Sequence, residues 1–302
     1  MSDLSEFKFR RATDDDLTNA AAVLGAEERE VRGRITYGVD ELRDWWRVYD
    51  IDASWIVENA VGEPIGFGGF LARGDEFSAW IGVDPRFNGR GISTELLARA
   101  EQRVRKLGGN SLKAGILAEN DAARRLLEQL GFREVRRYFR MQVELDREPS
   151  APAEIGGIRI EPFELAQARA FHSALNEAMA DDWGFVAMPF DEWRRLRLEA
   201  AETDVSLWFA ASDGDEIAGA IRCDGTKFGG GFVGALGVRR PWRRRGVGAA
   251  LLQRAFLEYF RRGVTRVSLG VDSTNQSGAT RLYERVGMHV VSEDVAFEKA
   301  LT

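Results

Sequence analysis

The chain has 302 residues and a formal net charge of −6, enough length for two domains of ordinary size (~100–200 residues each) and the wrong charge for a protein whose main partner is nucleic acid. A single cysteine, Cys223, excludes an internal disulfide and reads as a small buried hydrophobe, while His172 and His289 are too few and too scattered for a metal site and read as packing or surface residues. No apolar run approaches the ~20 residues that span a bilayer and MSDLSEFKFRR lacks a signal-peptide core, so a cytoplasmic protein with no membrane association is expected.

In chain order, a first strand leads into a helical region over Asp14–Asp50. Apolar alternation broken by glycine then predicts a hairpin in WIVENAVGEPIGFGGF, from Trp55. Ser78–Val83 reads as the next strand. Beyond a glycine-bearing turn, Ile92, Leu96, Ala100, Val104 and Leu107 recur at helical spacing until Gly108–Gly109 stops them. Strand Leu112–Leu117, a short helix closed by Gly131 and a strand ending in MQVEL complete the first half. Asp146–Gly157 carries two Pro, a Ser and a Gly pair, the composition of an exposed linker. The series then starts again. IRIEPF precedes a helical region over Glu164–Glu202, a hairpin from Trp208 and strand Phe232–Val238. Val247, Leu251, Leu252, Ala255, Phe256 and Tyr259 mark a helix stopped at Gly263, followed by strand Arg266–Val271 and a short helix closed by Gly287.

The halves are copies. Trp55 matches Trp208 at an offset of 153, and IGVDPRFNGRGISTELL from Ile81 matches LGVRRPWRRRGVGAALL from Leu236 at 155. Asn120 matches Asn275 at 155, and LLEQLGF from Leu126 matches LYERVGM from Leu282 at 156. Four blocks in one order at nearly constant spacing predict a duplicated domain, residues 1–148 and 149–302. Alternating strands and helices predict an α/β fold for each copy, a central mixed sheet flanked by helices.

RRRGVG, Arg243 to Gly248, sits where a strand hands over to a helix. The first turn of a helix leaves N–H groups unpaired and carries the positive end of the helix dipole, a combination that binds phosphate. Gly246 and Gly248 let backbone approach an anion closely, and Arg243, Arg244 and Arg245 supply charged donors. A solvated surface turn has the same composition; the duplicate and the strand–turn–helix setting favour the anion site. No Walker loop and no dinucleotide fingerprint occurs at this turn.

These motifs resemble the GNAT superfamily of acetyltransferases. Its pyrophosphate signature, Arg/Gln-x-x-Gly-x-Gly/Ala, is met by Arg243, Gly246 and Gly248. Its Asn after the next strand is met by Asn275, and its Leu-Tyr-Glu-x-x-Gly-Phe/Met helix end by Leu282, Tyr283, Glu284, Gly287 and Met288. The resemblance covers nearly the whole chain as two consecutive copies, a layout similar to that of actinobacterial tandem acetyltransferases. It implies acetyl-CoA as acyl donor, no metal, and a primary amine of a small molecule or peptide as acceptor. The main chain of Leu236, Gly237 and Val238 would pair with the pantetheine arm, one amide polarising the thioester carbonyl. The turn from Arg243 through Arg244, Arg245, Gly246, Val247 and Gly248 to Ala249 would hold the pyrophosphate, and Asn275 would touch the coenzyme. Tyr283 would protonate the departing thiolate, since a phenol with an ordinary pKa of ~10 keeps its proton at neutral pH. The general base is left open among Glu177, Asp181, Asp182 and Glu192.

The first copy departs from the pattern. Asn88 stands where Arg or Gln is usual, Ser93 replaces Gly, and Leu127 occupies the position of Tyr283. Leucine donates no proton, so this copy is expected to be non-catalytic, although Val83, Arg90, Gly91 and Ser93 could still hold CoA. The competing readings are an acyl-CoA-binding or scaffold protein without catalysis, and transfer of another acyl group or to a hydroxyl or thiol. A monomer or homodimer is expected.

Overall fold

A computed structural model describes residues 4–275 and 278–301. Two compact units emerge, one from the chain up to Tyr138 together with the segment from Glu293, the other from Phe139–Ser292. The sequence join near residue 148 lies elsewhere, because each copy contributes its last strand to the other unit's core.

In the first unit β1 (Lys8–Arg11), α1 (Leu17–Arg32) and α2 (Val39–Trp46) precede β2 (Trp55–Glu58), β3 (Pro64–Arg73) and β4 (Glu76–Val83). Then come α3 (Ile92–Lys106), β5 (Ser111–Leu117), α4 (Asp121–Gln129) and β6 (Arg133–Glu144). The second unit repeats the order. It has β7 (Ile158–Pro162), α5 (Ala168–Met179), α6 (Phe190–Trp193), β8 (Phe209–Asp213), β9 (Glu216–Lys227), β10 (Gly230–Val238), α7 (Val247–Arg261), β11 (Arg266–Asp272) and α8 (Ala279–Arg285), and the chain ends in β12 (His289–Ala300). The expected helical regions are thus each broken into two helices, and the strands extend one or two residues beyond the apolar runs that predicted them.

Both units carry the mixed sheet. β1 to β4 run antiparallel, β5 joins β4 in parallel, and Asp294–Ala300 of β12 adds antiparallel to β5. β7 to β10 and the parallel β11 repeat this. Met141, Val143 and Leu145 from the end of β6 join the second core. That core centres on Phe163, Phe171, Trp193 and Trp208, with Phe171 and Trp208 stacked at 5.7 Å. Cys223 is buried there and burial pushes its thiol far up, so it packs as expected.

One difference between the copies positions the site. β3 and β4 pair without interruption from Gly66↔Val83 to Arg73↔Glu76. β9 and β10 carry register shifts between Gly230 and Phe232 and between Val233 and Ala235. One extra residue on each strand of that hairpin accounts for the growth of the repeat offset from 153 to 155. The shift on β10 falls at Gly234, a bulge that bends the strand.

Candidate active site

In both units the parallel pair separates like an opened zipper. β10 pairs with β11 only over Gly231↔Val267 to Val233↔Leu269, while its other edge stays paired to β9 as far as Val238↔Gly219. Leu236, Gly237 and Val238 therefore lie on a strand edge with no ladder partner on the β11 side among the described residues. Gly237 is glycine because α5 packs over it: a Cβ there would come within 2.7 Å of the Cβ of Ala178.

Past Val238 the chain passes Arg239–Trp242 and reaches the helix through two left-handed residues, Arg244 at φ 61° and Gly246 at φ 91°. Gly246 caps α7, whose first ladder bond is Ala250 N–H to Gly246 O, so the N–H groups of Gly246, Val247, Gly248 and Ala249 have no helical acceptor. Arg244 is exposed, with no hydrogen bond or ion pair among the described residues. Arg245 lies 3.8 Å from Asp213, which also accepts from the Trp242 indole at 2.8 Å. Arg243 is placed differently. Its guanidinium donates to Val238 O, Ala178 O and Asp181, each at 3.0 Å, and so ties the end of α5 to the end of β10. Gly248 also has a packing use. A Cβ there would come within 2.9 Å of Leu282, so its smallness lets α8 dock against α7.

α8 carries Tyr283, buried at 8% exposure. Burial pushes its phenol up to about 12, with the charge of Asp182 adding to the rise. No described residue hydrogen-bonds its hydroxyl. Asp182 accepts from Asn275 Nδ2 at 2.9 Å. Burial holds its carboxyl above the ordinary carboxylate range; the Asn275 bond opposes this and Asp272 reinforces it. The structure thus brings together Tyr283, Asp182 and Asn275. The other acids do different work. Asp181 is held by Arg240 and Arg243, which keep it below the ordinary range, and Glu177 pairs with Arg239 at 2.7 Å. Glu192 lies on α6.

A strand edge beside a helix-capping amide nest offers main-chain groups to an extended, phosphate-bearing ligand. The profile of the acetyltransferase (GNAT) family matches residues 22–132 and again 169–288. The chain belongs to the GNAT family. That membership makes it an acetyl-CoA-dependent acetyltransferase built from two GNAT units. A GCN5-related N-acetyltransferase from Sphaerobacter thermophilus is similar at 32% identity and a TM-score of 0.84, over 98% of this chain and 96% of that one. A tandem GNAT protein from the clavulanic acid biosynthesis pathway shares the fold at 19% identity, with a TM-score of 0.73 over 98% of each chain. A mycothiol acetyltransferase from Propionibacterium freudenreichii is 28% identical over 87% of this chain and 84% of its own length.

The first GNAT unit has the same turn. Gly89 and Gly91 are left-handed at 76° and 90°, as Arg244 and Gly246 are, and Gly91 caps α3. Arg90 pairs with Glu6 at 2.9 Å, Val83 is in the core, and Ser93 takes the place of Gly248. Asn120 even repeats the amide–carboxylate bond, donating to Glu27 at 2.7 Å; burial pushes Glu27 up to about 7. What lies beside that pair is different. Trp80, aligned with Ala235, packs its ring over Gly115, where a Cβ would collide with it. Gly270, aligned with Gly115, is exposed and has nothing within 4 Å of where a Cβ would stand. Leu127 is buried at 3% in an apolar cluster. The contrast between Trp80 and Ala235 is visible in the aligned copies.

Proposed function

We propose that the second copy, residues 149–302, transfers acetyl from acetyl-CoA to a primary amine of a small molecule or peptide, and that the first copy, residues 1–148, is non-catalytic. The free N–H groups of Gly246 to Ala249, with Arg244 and Arg245, hold the pyrophosphate; the edge of Leu236 to Val238 receives the pantetheine arm. Arg243 serves them by fixing the turn. Asn275 holds Asp182 in place and borders the coenzyme.

An alkylammonium begins with a pKa of ~10.4 and must lose a proton before it attacks. Asp182 accepts that proton, being partly desolvated and more basic than an ordinary carboxylate. The nitrogen lone pair forms the new C–N bond, an amide of the β10 edge polarises the carbonyl oxygen, and the C–S bond breaks. The departing thiolate takes the proton of Tyr283, whose raised pKa keeps it protonated throughout the working range. The proton left on Asp182 returns to solvent, and the tyrosine is reprotonated from water.

The observation carrying this reading is the grouping of Tyr283 and Asp182 beside an unpaired strand edge whose floor at Gly270 is open. The test is free-thiol release from acetyl-CoA with a panel of amines, comparing wild type with Tyr283→Phe. Loss of turnover with acetyl-CoA binding intact is expected. Full activity of the variant would remove the proton-donor role, and no turnover of any amine would leave a CoA-binding protein.

A further inference from the structure

The face of the second sheet that looks toward α5 carries a charge its duplicate lacks. Gly237 faces α5, so Ala235 two residues back on β10 shares that face. Arg222 on β9 pairs directly with Ala235 and lies on the same side. The Arg222 guanidinium rests over the bulge: a Cβ on Gly234 would collide with it. Its residue is buried at 9%, and its one bond among the described residues runs from Nη1 to Asp224 at 2.7 Å. Nε and Nη2 remain as an unused pair of donors. Lys227 also bonds Asp224, at 3.2 Å. Asp182, three residues past the end of α5, stands near Asp272 at the end of β11.

Nε and Nη2 are not sealed in the core: they reach solvent, and so can reach a ligand. The aligned residues in the first unit are Gly69 and Leu71, so nothing in the shared fold demands an arginine here. We propose that Arg222 selects the acceptor by binding its carboxylate, and that the acceptor is an amino acid-like zwitterion whose amine lies toward Asp182. Two adjacent guanidinium donors match the fork of a carboxylate. Arg222 is then a specificity-determining residue. This inference rests on the amine-transferase reading and supplies its substrate class.

The experiment measures kcat/KM for matched acceptors on the wild-type enzyme: primary amines against the same amines bearing a carboxylate one to three carbons away, with methyl esters of the latter. The carboxylates are expected to be preferred by about tenfold to hundredfold, the scale of a charged hydrogen-bonded contact. Arg222→Met should erase the preference mainly through acceptor KM, leaving the KM for acetyl-CoA in place, and Arg222→Lys should restore part of it. Equal use of amine, ester and carboxylate by the wild type overturns the carboxylate role while the transferase reading stands. The wild-type comparison decides this even if Arg222→Met does not fold. No turnover of any acceptor by a protein that binds acetyl-CoA overturns both.

Discussion

Two copies of one fold stand in this chain, and their clefts can be compared position by position. The turns leading into α3 and α7 have the same backbone: extended Asn88 and Arg243, left-handed Gly89 and Arg244, then left-handed Gly91 and Gly246 capping each helix. Their amide–carboxylate pairs, Asn120–Glu27 and Asn275–Asp182, are also alike. On the α1 side of the first sheet the ring of Trp80 covers Gly115. On the α5 side of the second, Ala235 and exposed Gly270 leave that space open, Gly234 bulges the strand, and Tyr283 replaces a buried Leu127. The strand-to-helix turn is thus common to both copies. The acceptor side of the sheet distinguishes the copies.

Removing the one hydroxyl that sets Tyr283 apart gives the largest expected change. Tyr283→Phe should lower kcat by about 10²-fold or more, with acetyl-CoA affinity by calorimetry unchanged. Leu127→Tyr should add nothing to turnover, because its position packs into an apolar cluster. Activity gained there would break the comparison.

Asp182 gives a pH signature of similar size. Only its carboxylate form accepts the amine's proton, so kcat/KM should rise through its pKa, which burial holds above the ordinary range. Asp182→Asn should flatten that acidic limb and cost about 10²-fold in rate. Stability moves the other way. In the window between the ordinary and the raised pKa the folded state holds a proton that the unfolded chain lacks, so folding weakens as pH rises through it. The same variant should reduce that slope in a melting series.

Grafting the first copy's plug onto the second asks whether space alone separates them. Ala235→Trp should raise the KM for the acceptor about tenfold or more, while burst-free acetyl-CoA binding persists. A variant with normal acceptor KM would show that Trp80 is not what closes the first cleft.

Much of this was legible from periodicity and repetition. The offset fixed the duplicated fold, and the alignment of Leu127 with Tyr283 marked the copy that carries a phenol at this position. The exchange of final strands was not legible, since β6 and β12 have the same pattern whichever sheet they complete. Nor was the choice of Asp182: Glu177, Asp181 and Asp182 are equivalent in sequence, and only folding gives two of them arginine partners and the third an asparagine. RRRGVG promised three arginines to one phosphate group, yet a side chain's direction depends on φ and ψ. Extended Arg243 turns back to Ala178 while left-handed Arg244 remains exposed.

Arg244 yields the smallest effect and the sharpest sign. A non-glycine residue in the left-handed region costs on the order of 1 kcal/mol, and the first copy avoids that cost with Gly89. Arg244→Gly should therefore raise the melting temperature by about 2–4 °C. If the arginine is kept for phosphate, the same change should weaken acetyl-CoA binding about fivefold, the scale of one exposed charged contact. That loss should shrink in high salt, which screens the wild-type contact. The reciprocal Gly89→Arg should lower the melting temperature without touching turnover. A variant that is more stable and binds as tightly as wild type would mean that the backbone amides of the turn hold the diphosphate unaided.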